Sequence, residues 1–353
     1  MRSGFTVNNL EVLANLGWQP YFQQQISLEE WGISIPVRIV EQHRSQLEVT
    51  GEEGSFTLPV IPSMPPLTVG DWILLDAEGQ FSRLLERQSC FRRRASGQKQ
   101  TEQLLAANVD TAFILSSLND DFNLSRIERY LAVIHDAGAE AVVVLSKLDL
   151  CPDPVPYRDQ AQSLSSSLCI EMVNSLDADS TSVLLPWCAP GKTIVMLGSS
   201  GVGKSTLTNS LLGEEVQDTG GIREDDSKGR HTTTGRSLLS MKSGAMLLDT
   251  PGMRELQMAD FESGIAATFS DIEELAQQCR FADCNHGSEP GCAIQQAIEN
   301  SELELRRYEN YLKLKREQEL YTSTLAERRE KSKALGKYYK RTIAESKNIK
   351  RGE

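Results

Sequence analysis

Short apolar runs alternate with helical patterning from about residue 108 to residue 266. Residues 141–145 (AVVVL) and 192–197 (KTIVML) are nearly continuous hydrophobic runs. That is the pattern of strands buried on both faces of a parallel sheet. Residues 110–117, 169–173 and 245–248 (AMLL) read as further strands. Ile127, Tyr130, Leu131 and Ile134 fall at i, i+3, i+4 and i+7 and make one apolar helix face. Ser125 and Glu128 have the spacing of a capping box at its start. Residues 205–212 read as another helix. Such alternation predicts an α/β core, a parallel sheet with helices on both sides.

The pattern differs nearer the N-terminus. Between Ile35 and Arg94, residues 37–40, 46–49, 55–58 and 71–75 are short strand candidates, with Gly70 and Gly79 at turns. A small β-barrel is the expectation, with Trp31, Trp72 and Phe81 as packing residues.

The candidate chemistry lies at the ends of the apolar runs. Gly198-Ser199-Ser200-Gly201-Val202-Gly203-Lys204-Ser205, followed by Thr206, is a phosphate-binding loop between a strand and a helix. Its glycines let backbone N–H groups turn toward phosphates, and the helix N-terminus adds partial positive charge. Lys204 is expected to reach the β- and γ-phosphates, and the Ser205 hydroxyl to bind Mg²⁺. Asp249-Thr250-Pro251-Gly252 follows the 245–248 run. Asp249 is placed to hold Mg²⁺, and the Gly252 N–H to meet the γ-phosphate. Between them lies Gly229-Arg230-His231-Thr232-Thr233-Thr234, with Thr233 the first choice and Thr232 the second for sensing magnesium and γ-phosphate.

Base recognition falls on Ser146-Lys147-Leu148-Asp149, at the end of the 141–145 run, where ligands bind in open α/β sheets. The Asp149 carboxylate can accept from the guanine ring N–H and amine, a donor pair adenine lacks, which disfavours an ATPase. Serine stands at 146 where asparagine is usual, and its shorter side chain predicts the loss of some loop-bracing contacts. Asn174-Ser175-Leu176 is a candidate second guanine loop. The guanine motif precedes the phosphate loop, whereas in an ordinary GTPase it follows. The chain is therefore circularly permuted.

Cys279, Cys284, His286 and Cys292 have the spacing C-x4-C-x-H-x5-C. Three thiolates and an imidazole close a tetrahedral zinc site, and with no open position the expected role is structural. Cys90, Cys151, Cys169 and Cys188 are scattered and read as small apolar residues in a reduced compartment.

The net charge of −12 over 353 residues argues against an RNA partner until its distribution is considered. Residues 301–353 carry fifteen Lys and Arg against nine Asp and Glu, and the basic residues concentrate between Arg328 and Arg351. Such a tail can follow RNA phosphates. Phe91-Arg92-Arg93-Arg94 with Lys99 is a second candidate patch. No apolar run approaches membrane-spanning length, and the N-terminus lacks a signal-peptide pattern. A soluble, cytoplasmic protein that does not engage membranes is expected.

Together these motifs resemble the ribosome small-subunit-dependent GTPase A (RsgA) family. The resemblance runs from about Ile35 to Tyr311. It rests on Ala107-Asn108-Val109-Asp110, the permuted order, Gly229 to Thr234, Asp249-Thr250-Pro251-Gly252-Met253-Arg254-Glu255 and the Cys-Cys-His-Cys cluster. It implies an N-terminal OB-fold at 35–104 after an extension at 1–34, a permuted GTPase domain at 105–266, and a zinc-binding domain with a basic tail at 267–353. It further implies a monomer that acts late in assembly of the small ribosomal subunit, touches its rRNA, and hydrolyses GTP to GDP when the subunit stimulates it. Ser146, Leu176 and the long N-terminal extension depart from the family pattern. Met253 stands where Ras-like enzymes place a water-orienting glutamine. The resemblance points to His231 as the substitute. The alternative is a nucleotide-gated RNA-binding scaffold with negligible turnover.

Overall fold

The computed structural model describes residues 7–94, 102–213, 236–249, 261–287 and 289–322. Helices α1 (Val7–Asn15) and α2 (Pro20–Gln23) precede β1 (Ile35–Gln42), β2 (Gln46–Gly51), β3 (Gly54–Pro59), β4 (Trp72–Leu75) and β5 (Phe81–Leu84). These strands pair antiparallel in the order β3-β2-β1-β4-β5. One face of β4 turns Ile73 and Leu75 into a core with Val37, Ile39, Leu47 and Val49. The other turns Trp72 and Leu74 toward Leu13, Trp18 and Phe22, so the N-terminal extension covers the outside of this sheet. Trp18 meets Trp72 edge to face at a centroid separation of 4.8 Å. Trp72 is buried as expected, whereas Trp31 is 48% exposed.

β6 (Cys90–Arg94) and β7 (Glu102–Ala107) form a separate antiparallel ribbon. Phe91 is buried among apolar residues beneath this ribbon. The arginines of the candidate patch therefore act without an aromatic partner from this position.

The nucleotide-binding half contains β8 (Thr111–Ser117), α3 (Leu124–Ala137), β9 (Glu140–Ser146), α4 (Val155–Gln162), β10 (Cys169–Val173), α5 (Ala178–Thr181), β11 (Thr193–Leu197), α6 (Lys204–Leu212), β12 (Arg236–Ser240) and β13 (Met246–Asp249). Each predicted apolar run is a strand, and every residue of β8 is buried. The sheet order is β10-β9-β8-β11-β13-β12, parallel except for the β12–β13 pair. The chain builds outward from β8 to β10, returns to β11 beside β8, then fills the other side. The switch point between β8 and β11 is where such sheets bind ligands. β12 continues into β1 through Glu41↔Ser237 and Gln42↔Arg236, so one eleven-stranded sheet spans both halves.

The predicted apolar face of α3 is buried at Ile127, Tyr130, Leu131 and Ile134. Its cap is not the expected Ser125–Glu128 box. Asn123 is the N-cap and accepts from the Arg126 N–H at 2.9 Å. Glu128 is diverted because C-terminal helices cover this face of α3. Those are α7 (Glu262–Thr268), α8 (Ser270–Gln277), α9 (Ala293–Glu299) and α10 (Leu305–Thr322). They share a core of Phe261, Ile265, Phe269, Ile272, Ile294, Tyr308 and Leu314, to which Ala132 of α3 belongs. Gly264 lets α7 cross α3 closely, since a Cβ there would lie 1.9 Å from the Ala132 carbonyl oxygen.

Candidate active site

β11 ends at Leu197 and the phosphate loop begins. A Cβ at Gly198 would lie 2.7 Å from the Leu115 carbonyl oxygen of β8, so the loop's close approach to its neighbour requires glycine. Gly201 and Gly203 take φ of 74° and 99°, in the left-handed region. Val202 between them is buried and anchors the loop in the core. Ser200 is exposed. α6 starts at Lys204, with Ser205 and Thr206 half-buried in its first turn. The Lys204 ammonium donates to the Gly198 carbonyl at 2.7 Å and to the Ser199 carbonyl. The cation thus lies across the mouth of the loop, where a phosphate would meet it.

The two candidate guanine loops arrive from the other side. Ser146, at the end of β9, is fully buried, and its hydroxyl donates to the Val202 carbonyl at 2.6 Å. The shorter side chain therefore keeps a direct bond to the phosphate loop. Lys147 is held at φ 62°, and a short turn, Leu148–Leu150, carries Asp149 to an exposed position. β10 ends at Val173, in register with Ser146. The Asn174 N–H then donates to Ser180 Oγ at 2.8 Å, and the Leu176 N–H to Asn174 Oδ1 at 3.0 Å. These bonds fix Ser175, which is buried with an unpartnered hydroxyl. A Cβ at Gly203 would be 3.9 Å from both Ser146 Oγ and Ser175 Oγ. Ser146, Ser175 and the loop, distant in sequence, converge there.

Asp249 closes β13, opposite Ser237. β13 runs parallel to β11, which brings Asp249 to the sheet end that carries the loop. His231, Thr232, Thr233, Thr234, Gly252 and Met253 lie outside the described residues.

Two contacts had no sequence signal. Ser199 Oγ donates to Asp121 Oδ2 at 2.6 Å, across a separation of 78 residues. Asp121 pairs with Arg126 at 2.9 Å. Burial raises the Asp121 pKa, but Ser199 and Arg126 outweigh it and hold the carboxyl below its usual value. Arg38 is the second. It is fully buried and donates to the Leu16, Gly70 and Asn108 carbonyls. Burial lowers its pKa to about 10, with Asp110 and Asp71 opposing. Asn108 and Asp110 belong to the 107–110 motif. The Asn108 amide donates to Gly70, and Asp110 accepts from the Thr193 N–H at 2.9 Å. This motif joins the two halves of the sheet.

Cys279, Cys284, His286 and Cys292 present ligand atoms all within 4.8 Å of one another. Cys279 Sγ lies 3.9 Å from Cys292 Sγ and 3.5 Å from His286 Nδ1. A tetrahedron with Zn–S bonds of about 2.3 Å has edges near 3.8 Å, so the spacing fits. Burial raises the Cys279 thiol, but the Ala293 and Ile294 N–H groups at the start of α9 bring it below its ordinary value. The His286 N–H lowers Cys284, but burial and the Cys292 and Cys279 thiols push it up to about 11. A central cation would relieve that repulsion. The four donors can hold a tetrahedral cation with no place for substrate.

A glycine loop after β11, loops after β9 and β10 that converge on it, and Asp249 at the end of β13 on the other side define a circularly permuted GTPase. The fold is similar to YjeQ from Thermotoga maritima, with a TM-score of 0.59 and 24% identity, covering 83% of this chain and 100% of that one. It is also similar to YloQ, a circularly permuted GTPase, with a TM-score of 0.57 and 24% identity, covering 82% of this chain and 97% of that one. The RsgA GTPase family pattern matches residues 84–259. Small ribosomal subunit biogenesis GTPase RsgA 2 of Vibrio vulnificus (strain CMCP6) is 56% identical over 338 residues, 96% of this chain and 97% of that protein. Small ribosomal subunit biogenesis GTPase RsgA of Mesorhizobium japonicum (strain LMG 29417 / CECT 9101 / MAFF 303099) is 43% identical over 308 residues, 86% of this chain and 88% of that protein. The chain belongs to the RsgA GTPase family, and it is a GTP-hydrolysing enzyme.

Proposed function

We propose that this chain hydrolyses GTP on the small ribosomal subunit, late in its assembly, and that the subunit stimulates turnover. The observation that carries the reading is the convergence of Ser146, Ser175 and the Gly198–Ser205 loop around Gly203. The near full-length similarity to a small-subunit biogenesis GTPase supports it. In this reading Gly198, Ser199, Ser200, Gly201, Val202 and Gly203 wrap the phosphates with backbone N–H groups. Lys204 neutralises the β- and γ-phosphates, and Thr206 extends the loop's cap. Ser205, Thr233 and Asp249 serve Mg²⁺, while Gly252 meets the γ-phosphate. Asp149 reads guanine, with Lys147 flanking the base and Ser175 closing the second side.

His231 orients the attacking water, because Met253 offers no useful hydrogen bond. The test is His231→Ala with saturating small subunits. GTP binding stays near wild type and stimulated turnover drops roughly a hundredfold, the scale of a lost positioning group. Turnover within a few-fold of wild type would remove His231 from the mechanism. An absence of any stimulation of the wild-type protein would overturn the assembly role.

The chain acts as a monomer in the cytoplasm, and it divides into the extension at 1–34, an open OB-type barrel at 35–104, the GTPase unit at 105–266 and the zinc module at 267–353. The barrel reading is supported by the β3-β2-β1-β4-β5 order around its own core. Cys279, Cys284, His286 and Cys292 hold one structural Zn²⁺. Arg92, Arg93 and the basic tail from Arg328 to Arg351, which lies outside the described residues, meet rRNA. Among the described residues, no helix is long and apolar enough to cross a membrane.

A further inference from the structure

Half-buried arginines in this protein are, as a rule, neutralised. Arg83 pairs with Glu30, Arg87 with Asp71, Arg126 with Asp121, Arg129 with Glu317, and Arg306 with Glu128. Arg93 and Arg236 break the rule. Arg93 Nε donates to Gln103 Oε1 at 3.0 Å, and Arg236 Nη1 donates to the Leu104 carbonyl. Consecutive residues of β7 thus hold both guanidiniums, which brings them together. Both are half-buried, and neither has a carboxylate partner among the described residues. Burial lowers the pKa of Arg236, and the charge of Arg93 lowers it further. Two partly desolvated like charges are costly unless an anion joins them.

We propose that Arg93 and Arg236 form a clamp for a backbone phosphate of RNA. Planar guanidiniums suit a phosphate's oxygens, and such contacts position a protein on a nucleic acid without reading its sequence. A polymer phosphate fits better than that of GTP. β13 lies between β12 and the strand that bears the phosphate loop, and the pair reaches outward to the β6–β7 ribbon. Arg236 opens β12, three residues after Thr233. An RNA phosphate held there anchors β12 at its first residue. This inference rests on the proposed work at the small subunit and names the side chains through which RNA favours turnover.

The test uses the full chain with Arg93→Gln, Arg236→Gln and the double variant. Binding of a short fluorescent single-stranded RNA is followed across a chloride titration. Each single variant weakens binding by about tenfold, the scale of a lost charged hydrogen bond. Each also makes the log–log salt slope shallower by about 0.7, the value for one phosphate contact on a single strand. Arg236→Lys keeps the slope, since a charge remains. GTP affinity, read with a fluorescent analogue, and thermal stability stay at wild-type values, while subunit-stimulated turnover falls in parallel with RNA affinity. Unchanged RNA affinity and slope in both single variants would overturn the clamp. So would a loss confined to GTP binding, which would make the anion the nucleotide's own. If the variants lose RNA while wild-type turnover ignores the subunit, the clamp stands and the assembly reading fails.

Discussion

The Glu128 carboxylate of α3 accepts from Arg307 Nη1 of α10 at 2.9 Å, with both side chains buried. Arg306 and Asn310 donate to the same carboxylate. Arg307 continues to Asp271 and to the Thr268 carbonyl. One acidic residue of the GTPase unit thereby organises the helices that surround the cysteine cluster.

Removing this carboxylate takes the buried counter-charge from two guanidiniums and leaves Arg307 to Asp271 and Arg306 to Glu304. Glu128→Ala is expected to destabilise the protein by about 3–5 kcal/mol, the usual cost of breaking a buried pair from one side. Glu128→Gln keeps an acceptor and loses less. Urea unfolding of the two variants measures the difference, and equal midpoints for all three proteins would contradict the role.

The phosphate loop can be tested from within and from behind. Lys204→Ala removes its cation and is expected to weaken GTP binding roughly ten- to a hundredfold. Ser146→Ala removes the hydroxyl that bonds Val202 and leaves that carbonyl unsatisfied, for a loss of about fivefold. Fluorescent-nucleotide titration reads both. Tight binding by the lysine variant would dissociate the loop from nucleotide.

Metal removal addresses the C-terminal module. Cys284→Ser, or a strong chelator, takes away folding energy coupled to the metal. The helices around Phe269 and Tyr311 are expected to lose protection from hydrogen exchange while β8, β9 and β11 keep theirs. Carefully purified protein should contain one zinc per chain. Protection that is unchanged after complete metal loss would show that the helices stand without it.

His135 provides a pH-dependent contact. Its Nδ1 lies 2.9 Å from Thr268 Oγ1, between α3 and α7, and burial lowers its pKa. A histidine depressed in the folded state favours folding above its ordinary pKa, about 6.5. That contribution declines as pH falls through this value toward the lower folded one, because the unfolded chain takes the proton first. Thermal melts between pH 7.5 and 5 should show a loss of stability that His135→Gln reduces. Parallel pH curves for the two proteins would exclude the histidine as its source.

The parts legible in the sequence are those whose chemistry is local. The phosphate loop and the cysteine cluster are contiguous, and the strands announce themselves because burial on both faces leaves unbroken apolar runs. Ser175 was readable as a loop position, although its open hydroxyl beside Gly203 was not. What escaped are contacts made only by the assembled fold. The Ser199–Asp121 bond spans two loops, and Arg38 looks like a surface strand residue until Leu16 and the 107–110 motif enclose it. Glu128 has the spacing of a helix cap, but tertiary ion pairing claims it. β6 is short and basic, so hydrophobic periodicity passes over it.

The pairing of β1 with β12 also protects the protein from itself. Without β1, the outer side of β12 would offer unpaired backbone donors and acceptors, an open template for another chain. The seam engages Ser237 and Arg236 at the start of β12, and the N-terminal sheet stands over that edge. A shortened chain lacking residues 1–94 would bare it, and stray strands could add there. The N-terminal sheet is in this sense a built-in guard against aggregation, whatever else it binds.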